Sequence, residues 1–317
     1  MSFAALLETL NSVIWSPALV FLCLAVGVYF TLTTLFLQVR CLPDMMRQIV
    51  SNKKSGSGVS SFESLMISLA GRVGVGNIAG VATAIAFGGP GAVFWMWAVA
   101  LLGSATSFIE CTLAQIYKEK DRDTGEYRGG PAYYIEKAYK HTRAGKFMLV
   151  YAVVFAVAMM LATSYFLPGI QANGVAAAMH NAWGTDVRIS AVVLGILLAV
   201  IIMGGVRRIA NFASLVVPLM AVVYILASIV IMFVNFDRID DVFSLIFRSA
   251  FDQEAMFSGM LGAAIMWGVK RGIYSNEAGQ GTGPQSAAAA EVSHPAKQGF
   301  VQAFAVYVDT LFVCSAT

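Results

Sequence analysis

Gly71-Arg72-Val73-Gly74-Val75-Gly76-Asn77-Ile78-Ala79-Gly80 lies inside an apolar stretch, residues 62–87, that is long enough to cross a membrane. A spanning helix satisfies its own backbone because the bilayer core holds no water to do so. Gly71, Gly74, Gly76 and Gly80 weaken that helix. Irregular backbone at membrane depth persists only where it is buried in protein or lines a cavity. Half-helix ends in such a place offer N–H groups to an anion and freed carbonyls to a cation. The stretch therefore points to transport.

Composition agrees. Hydrophobic residues fill 58% of the 317 positions, charged residues 12%, and mean hydropathy is +0.72. A soluble domain carries about 25% charged residues, so the expected fold class is all-α and polytopic in a membrane. Apolar stretches fall near 16–38, 62–87, 90–116, 147–169, 188–204, 212–234, 255–278 and 298–317, giving about eight helices. All but 188–204 reach the roughly 20 residues that a span needs, and that one sits at the lower limit. The first is expected to persist as a helix, because residues 1–15 lack Lys and Arg and its apolar run exceeds a signal-peptide core. The last stops at Thr317 without flanking charge. A truncated chain lacking at least one partner helix is expected.

Basic residues give an orientation. Connections 39–61, 117–146 and 205–211 hold 14 Lys and Arg, among them Arg40, Lys118, Arg128 and Arg207, while 170–188 and 235–254 hold only Arg188, Arg238 and Arg248. The rich side is assigned to the cytoplasm and the N-terminus to the outside. This bias also accounts for the net charge of +3, so no nucleic-acid partner is expected. Cys23, Cys41, Cys111 and Cys314 show no metal-ligand spacing, and His141, His180 and His294 fall in connections. No Ser–His pair or His-ligated metal can form within the spans, so no enzyme is expected.

Polar residues inside the spans carry the rest. Asn77 follows the glycine break and could offer a hard-cation oxygen or merely an interhelical hydrogen bond. Arg72 could pair with a carboxylate or face water. Trp95 and Trp97 suit packing at an interface, and Glu110 suits a loop-facing or capping acid. The helix of 147–169 is expected to end at Pro168-Gly169, leaving Gln171 and Asn173 to bind a polar ligand or to cap. A second break runs from Trp267 to Pro284. Lys270, Arg271 and Glu277 there each cost about 2.5–3.5 kcal/mol at mid-bilayer unless they pair or line water.

The two breaks are related. With 16–38 as an accessory helix, 62–234 forms a five-helix unit whose first helix is broken, and 255–317 begins a second unit broken in the same place. By the assigned topology the two start on opposite sides, the pattern of an inverted-repeat transporter.

Gly88-Gly89-Pro90-Gly91-Ala92-Val93-Phe94-Trp95-Met96-Trp97 with Gly103 resembles the sodium:alanine symporter signature. Gly71–Gly80, Arg128-Gly129-Gly130-Pro131-Ala132-Tyr133 and Tyr274-Ser275-Asn276-Glu277-Ala278-Gly279 resemble further blocks of this alanine/glycine:cation symporter family. The resemblance implies a leucine-transporter-like fold with one extra leading helix in the inner membrane of a prokaryote. It also implies uptake of alanine, glycine or a similar small amino acid driven by Na⁺ or H⁺, with Na⁺ as coupling ion and no cofactor. Substrate contacts are implied at Val75, Gly76, Asn77, Gln171, Asn173, Ser275, Asn276 and Gly279, and Na⁺ ligands at Asn77 and the carbonyls of Ala70 and Val73. Val75 departs from the Thr or Ser found in many members. A proton-coupled carrier titrating at Glu277 or Asp309, and an uncoupled receptor or channel, are the alternatives. The hydroxyl pair of the fold's other sodium site would lie beyond Thr317, so this chain alone is not expected to transport.

Overall fold

The computed structural model describes residues 3–50, 58–251 and 260–317. Lys53, Lys54, Asp252, Glu254 and the first residues of the 255–278 stretch lie outside them. The described chain is predominantly helical, with one two-stranded hairpin.

Helices α1 (Phe3–Ile14) and α2 (Pro17–Thr33) lead, followed by short α3 (Leu37–Arg40) and α4 (Leu42–Val50). α5 (Ser61–Arg72) starts at a capping box. Ser60 Oγ accepts the Glu63 N–H at 3.2 Å while the Glu63 carboxylate accepts the Ser60 N–H at 2.6 Å. α6 (Val75–Gly88) continues after two residues at a 42° bend. α7 (Gly91–Tyr117) leads into hairpin β1 (Glu119–Lys120) and β2 (Tyr127–Arg128) and then α8 (Pro131–Tyr139). Next come α9 (Gly145–Leu161), a π turn (Ala162–Phe166), α10 (Leu167–Trp183), α11 (Val187–Ile202), α12 (Gly205–Val234) and α13 (Ile239–Phe251). The final elements are α14 (Met260–Asn276), α15 (Thr282–Ala289), α16 (Pro295–Val306) and a π turn (Tyr307–Cys314).

Among the described residues, four helices are long and apolar enough to cross a membrane (Asn11–Thr33, Gly91–Tyr117, Gly145–Trp183 and Gly205–Val234), and the bent α5–α6 pair makes five. Of the other expected stretches, α11 has 16 residues, the described part of the 255–278 stretch is α14 with Lys270 and Arg271 in it, and α16 continues directly into its π turn. The expected stop at Pro168-Gly169 does not occur. The helix runs on to Trp183, and the π turn just before Pro168 absorbs the hydrogen bond that proline cannot make.

α7 is the central post, packed by α2, α13, α14, α15 and α16. Small residues set its distances. Gly268 and Gly272, one turn apart on α14, sit on Ala92, Trp95, Met96 and Val99; a Cβ on Gly268 would lie 2.5 Å from the Ala92 carbonyl. Without a hydrophobic drive between helices in lipid, such close approach is what holds them. A parallel backbone bridge joins the entry to α5 with the exit of α15: Val59 N–H donates to Ala289 O at 3.1 Å and Glu291 N–H to Val59 O at 2.9 Å. Val150, Val154, Val193, Ile196, Val223 and Val230 of α9, α11 and α12 are exposed, as lipid-facing side chains are.

Candidate functional site

The first break is built by two diverted backbone donors. In a continuous helix Gly74 and Val75 would give their N–H groups to the carbonyls of Ala70 and Gly71. Instead Gly74 N–H goes to Asn77 Oδ1 at 2.7 Å, and Val75 N–H to Gln171 Oε1 at 2.9 Å. The carbonyls of Ala70 and Gly71 thereby lose their helical donors. A Cβ on Gly74 would stand 2.7 Å from Gln171 Oε1, so a larger residue there displaces that amide. Gln171 is delivered by α10 only because that helix continues past Pro168.

Behind the break lies a polar cluster closed to solvent. Asn77 Nδ2 donates to Asp309 Oδ1 at 2.6 Å and to Ser275 Oγ at 3.0 Å. Ser275 Oγ and Thr310 Oγ1 donate to Asp309 Oδ2 at 2.9 and 2.8 Å. Asn77, Asp309 and Thr310 are 0% exposed and Ser275 is 1%. The Asp309 carboxylate is thus held by neutral donors, and among the described residues no cationic side chain forms an ion pair with it. A buried carboxyl in that situation is compensated chemically either by a bound cation or by a proton.

The second break follows Asn276. Glu277 (φ 53°), Gly279 (φ 84°) and Gly281 (φ 93°) are left-handed and stop α14 before α15 begins. A glutamate in that region costs about 1–3 kcal/mol of strain, which persists only where surroundings enforce it. Here Thr282 Oγ1 donates to Glu277 Oε2 at 2.6 Å, and Asn276 Oδ1 accepts the Ala278 N–H at 3.0 Å. Glu110 is neither loop-facing nor at the surface: it is buried and accepts the Gly279 N–H at 3.1 Å.

Arg72 is buried at the end of α5. Its Nη1 donates to Gln302 O at 3.2 Å, and its charge acts on Glu110, Glu277 and Asp309 without an ion pair closer than 4.0 Å among the described residues. Lys270 and Arg271 pair with no acid there either. Both lie over the Trp267 ring, at 5.9 and 5.4 Å, so an aromatic face answers these charges where an ion pair or water was expected.

A cavity of about 680 Å³ opens against the first break, lined by Ala70, Gly71, Gly76, Gln171, Tyr274 and Glu277 among others. It reaches Tyr127 and Arg128 of the hairpin, on the side of the basic 117–146 connection. Hairpin charges are compensated: Arg128 pairs with Asp121, and Lys137 pairs with Glu119 at 2.8 Å, holding the Glu119 carboxyl below the usual carboxylate range.

Of the sequence-derived residues, Ala70, Gly76, Gln171 and Glu277 line this cavity, while Asn77, Ser275 and Asp309 form the cluster behind it. Val73 is the extended residue at the bend, packed on the core of α5. Asn276 and Gly279 face a different cavity. Two expectations are corrected. Asn173 is exposed and does not line this cavity, because two helical steps of about 100° each turn it to nearly the opposite face from Gln171. The Val75 side chain packs against Gly174, so only its backbone takes part in the site. Tyr274 was not anticipated: its hydroxyl is buried beside the cavity without a hydrogen-bond partner among the described residues. Its place immediately before Ser275 in the second break was the available signal. Thr310, next to Asp309, was missed for want of any glycine or charge pattern around it.

The profile of the sodium:alanine symporter family matches residues 1–317. The chain is 56% identical over 314 residues to a Bacillus subtilis protein named "Putative sodium/proton-dependent alanine carrier protein YrbD", covering 99% of this chain and 63% of that one. It is 45% identical to the B. subtilis "Probable sodium/glutamine symporter GlnT", over 97% of this chain and 63% of the relative. A "Sodium/alanine symporter AgcS" of Methanococcus maripaludis is 42% identical, over 100% of this chain and 70% of that relative. The chain spans less than two thirds of the length of the first two. With its broken helices, apolar spans and whole-length match, this multi-pass membrane chain belongs to the sodium:alanine symporter family.

Proposed function

We propose that the protein, as part of its full-length chain, couples inward movement of Na⁺ to uptake of alanine, glycine or a similar small amino acid by alternating access. The observation that carries this reading is the buried Asn77–Ser275–Asp309 cluster. It joins both broken helices next to a cavity of about 680 Å³. The substrate carboxylate meets the N-terminus of α6, where the helix dipole favours an anion. Na⁺ takes oxygens from Asp309, Ser275, Asn77 and the Ala70 carbonyl. Residues 62–234 and the unit starting at 255 act as inverted halves around this point, with the N-terminus outside and the cavity facing the cytoplasm. Alanine is net neutral, so one Na⁺ moves one charge; a potential of about 150 mV then supplies roughly 3.5 kcal/mol, a few hundred-fold accumulation.

Uptake of a panel of small L- and D-amino acids into proteoliposomes of the full-length protein, with and without Na⁺ at fixed pH, tests the reading. Uptake that follows pH and ignores Na⁺ would replace Na⁺ by H⁺. Absence of counterflow would replace the carrier by a channel or receptor.

Three substitutions probe the break. Gly76→Leu places a side chain against the Tyr274 ring, which already stands 3.0 Å from a Cβ there. Alanine binding should be lost while insertion is retained, and near-normal affinity by calorimetry would remove Gly76 from the site. Asn77→Ala deletes both a candidate cation oxygen and the donor to Asp309. The Na⁺ concentration for half-maximal uptake should rise at least tenfold, about 1.4 kcal/mol; an unchanged Na⁺ curve would make Asn77 a packing amide. Val75→Thr should leave alanine and Na⁺ affinities within about twofold, less than one net hydrogen bond, because its side chain faces Gly174. A larger gain in a binding isotherm would contradict that placement.

A further inference from the structure

A second cavity, of about 430 Å³, lies between α2, α7 and α14 on the far side of the second break. We propose that it binds a neutral, lipid-soluble compound presenting one hydrogen-bond acceptor to Asn276, and that the bound compound restrains the 277–281 break.

Its size falls within the range of small-molecule pockets, about 300–1,000 Å³. Leu19, Leu22 and Val26 wall it from α2, and Val269 and Ile273 from α14, and no Lys, Arg, Asp or Glu lines it. A charged ligand would be desolvated there without a partner, so the occupant is neutral. The polar end is Asn276. Its Oδ1 is used by the Ala278 N–H, but its Nδ2, on a residue 0% exposed, has no acceptor among the described residues. A buried donor left without a partner is costly, and a ligand oxygen removes that cost. Gly103, also on the wall, keeps the way to this amide open: a Cβ there would stand 3.5 Å from Nδ2.

Depth identifies the source of the ligand. Gly103 is near the middle of the 27-residue span Gly91–Tyr117, roughly 20 Å from either end at about 1.5 Å per residue. Phospholipid ester oxygens lie at the edge of a hydrocarbon core about 30 Å thick and do not reach the centre. The occupant is therefore a free compound dissolved in the bilayer, not a lipid headgroup.

Position gives the consequence. Ile273, Asn276 and Gln280 line this cavity, while Tyr274, Glu277 and Thr282 line the larger one, so the end of α14 and the turn that follows it form the shared wall. A molecule filling one side opposes movement of that segment. This effect on transport rests on the function proposed above; the binding does not.

Benzophenone is the probe, being apolar, neutral and photoreactive with a single carbonyl. The full chain in proteoliposomes is photolysed with it and adducts are mapped by mass spectrometry. The expected result is saturable labelling of α2 around Leu19–Val26 and of α14 around Val269–Ile273, abolished by Val26→Phe. Diphenylmethane, the same shape without the oxygen, should compete about two- to tenfold less well at equal membrane concentration, the worth of one hydrogen bond. Unsaturable labelling spread over α9, α11 and α12 would overturn the site. Equal competition by diphenylmethane would overturn the role of Asn276, whatever the folding of the variant. In the dark, saturating benzophenone should slow amino-acid exchange by the parent and not by Val26→Phe. Saturable labelling with unchanged exchange would overturn the restraint and leave the binding.

Discussion

Asp309→Asn is expected to give a protein that inserts and melts like its parent but no longer responds to Na⁺. The carboxylate is 0% exposed, and an ion so buried costs several kcal/mol in desolvation. The isosteric amide relieves that cost. Ser275 and Thr310 can turn their hydroxyls to suit it, so the cluster keeps its shape. What disappears is the only formal charge in it. Removing one member of a buried charge pair costs about 2–5 kcal/mol, which for a bound cation is a weakening of roughly thirty-fold to several thousand-fold. Thermal shift against Na⁺ concentration reads this directly, with uptake as a second readout. If Na⁺ stabilises the variant as it does the parent, the cation binds elsewhere and the cluster is structural.

Arg72→Gln is expected to do the opposite, damaging the fold before the chemistry. Arg72 is 2% exposed and is the buried guanidinium whose charge reaches Glu110, Glu277 and Asp309. Without it three acids remain inside the bundle with no cation nearby. Breaking a buried charge arrangement from one side costs about 3–5 kcal/mol, enough to lower the yield of folded protein sharply. The double variant Arg72→Gln/Glu277→Gln should recover part of the loss, because neutralising one acid removes part of the uncompensated charge. A coupling of at least about 1 kcal/mol in the double-mutant cycle is the expected signature. Simple additivity would show that Arg72 acts through its hydrogen bond to Gln302 and not through its charge.

Both breaks were legible in the sequence because glycines and charges stand out against an apolar background. Gly71–Gly80 became a two-residue interruption at 73–74, and Trp267–Pro284 became the left-handed turn at 277–281. What closes the site was not legible. Asn77 and Asp309 are 232 positions apart, and no local pattern announces that they touch. Pro168-Gly169 reads as a stop, yet the π turn at 162–166 lets the helix pass and brings Gln171 to the Val75 N–H. Arg72 and Glu110 are unremarkable as isolated letters; their burial follows from where α7 and α16 close over the end of α5. Lys270 and Arg271 were expected to pair or to line water, and the structure supplies the ring face of Trp267, which attracts a cation through its quadrupole.

The backbone bridge between residue 59 and residues 289–291 makes a clock of two amides. Val59 N–H and Glu291 N–H are held by one reciprocal pairing, so neither can exchange with deuterium unless the strap linking the two half-helices comes undone. If α5 must swing away from α15 to release cargo, the two protons exchange together, at the frequency of that local opening. If Na⁺ and an amino acid bind at the two breaks as proposed and hold that opening closed, they should slow both by the same factor.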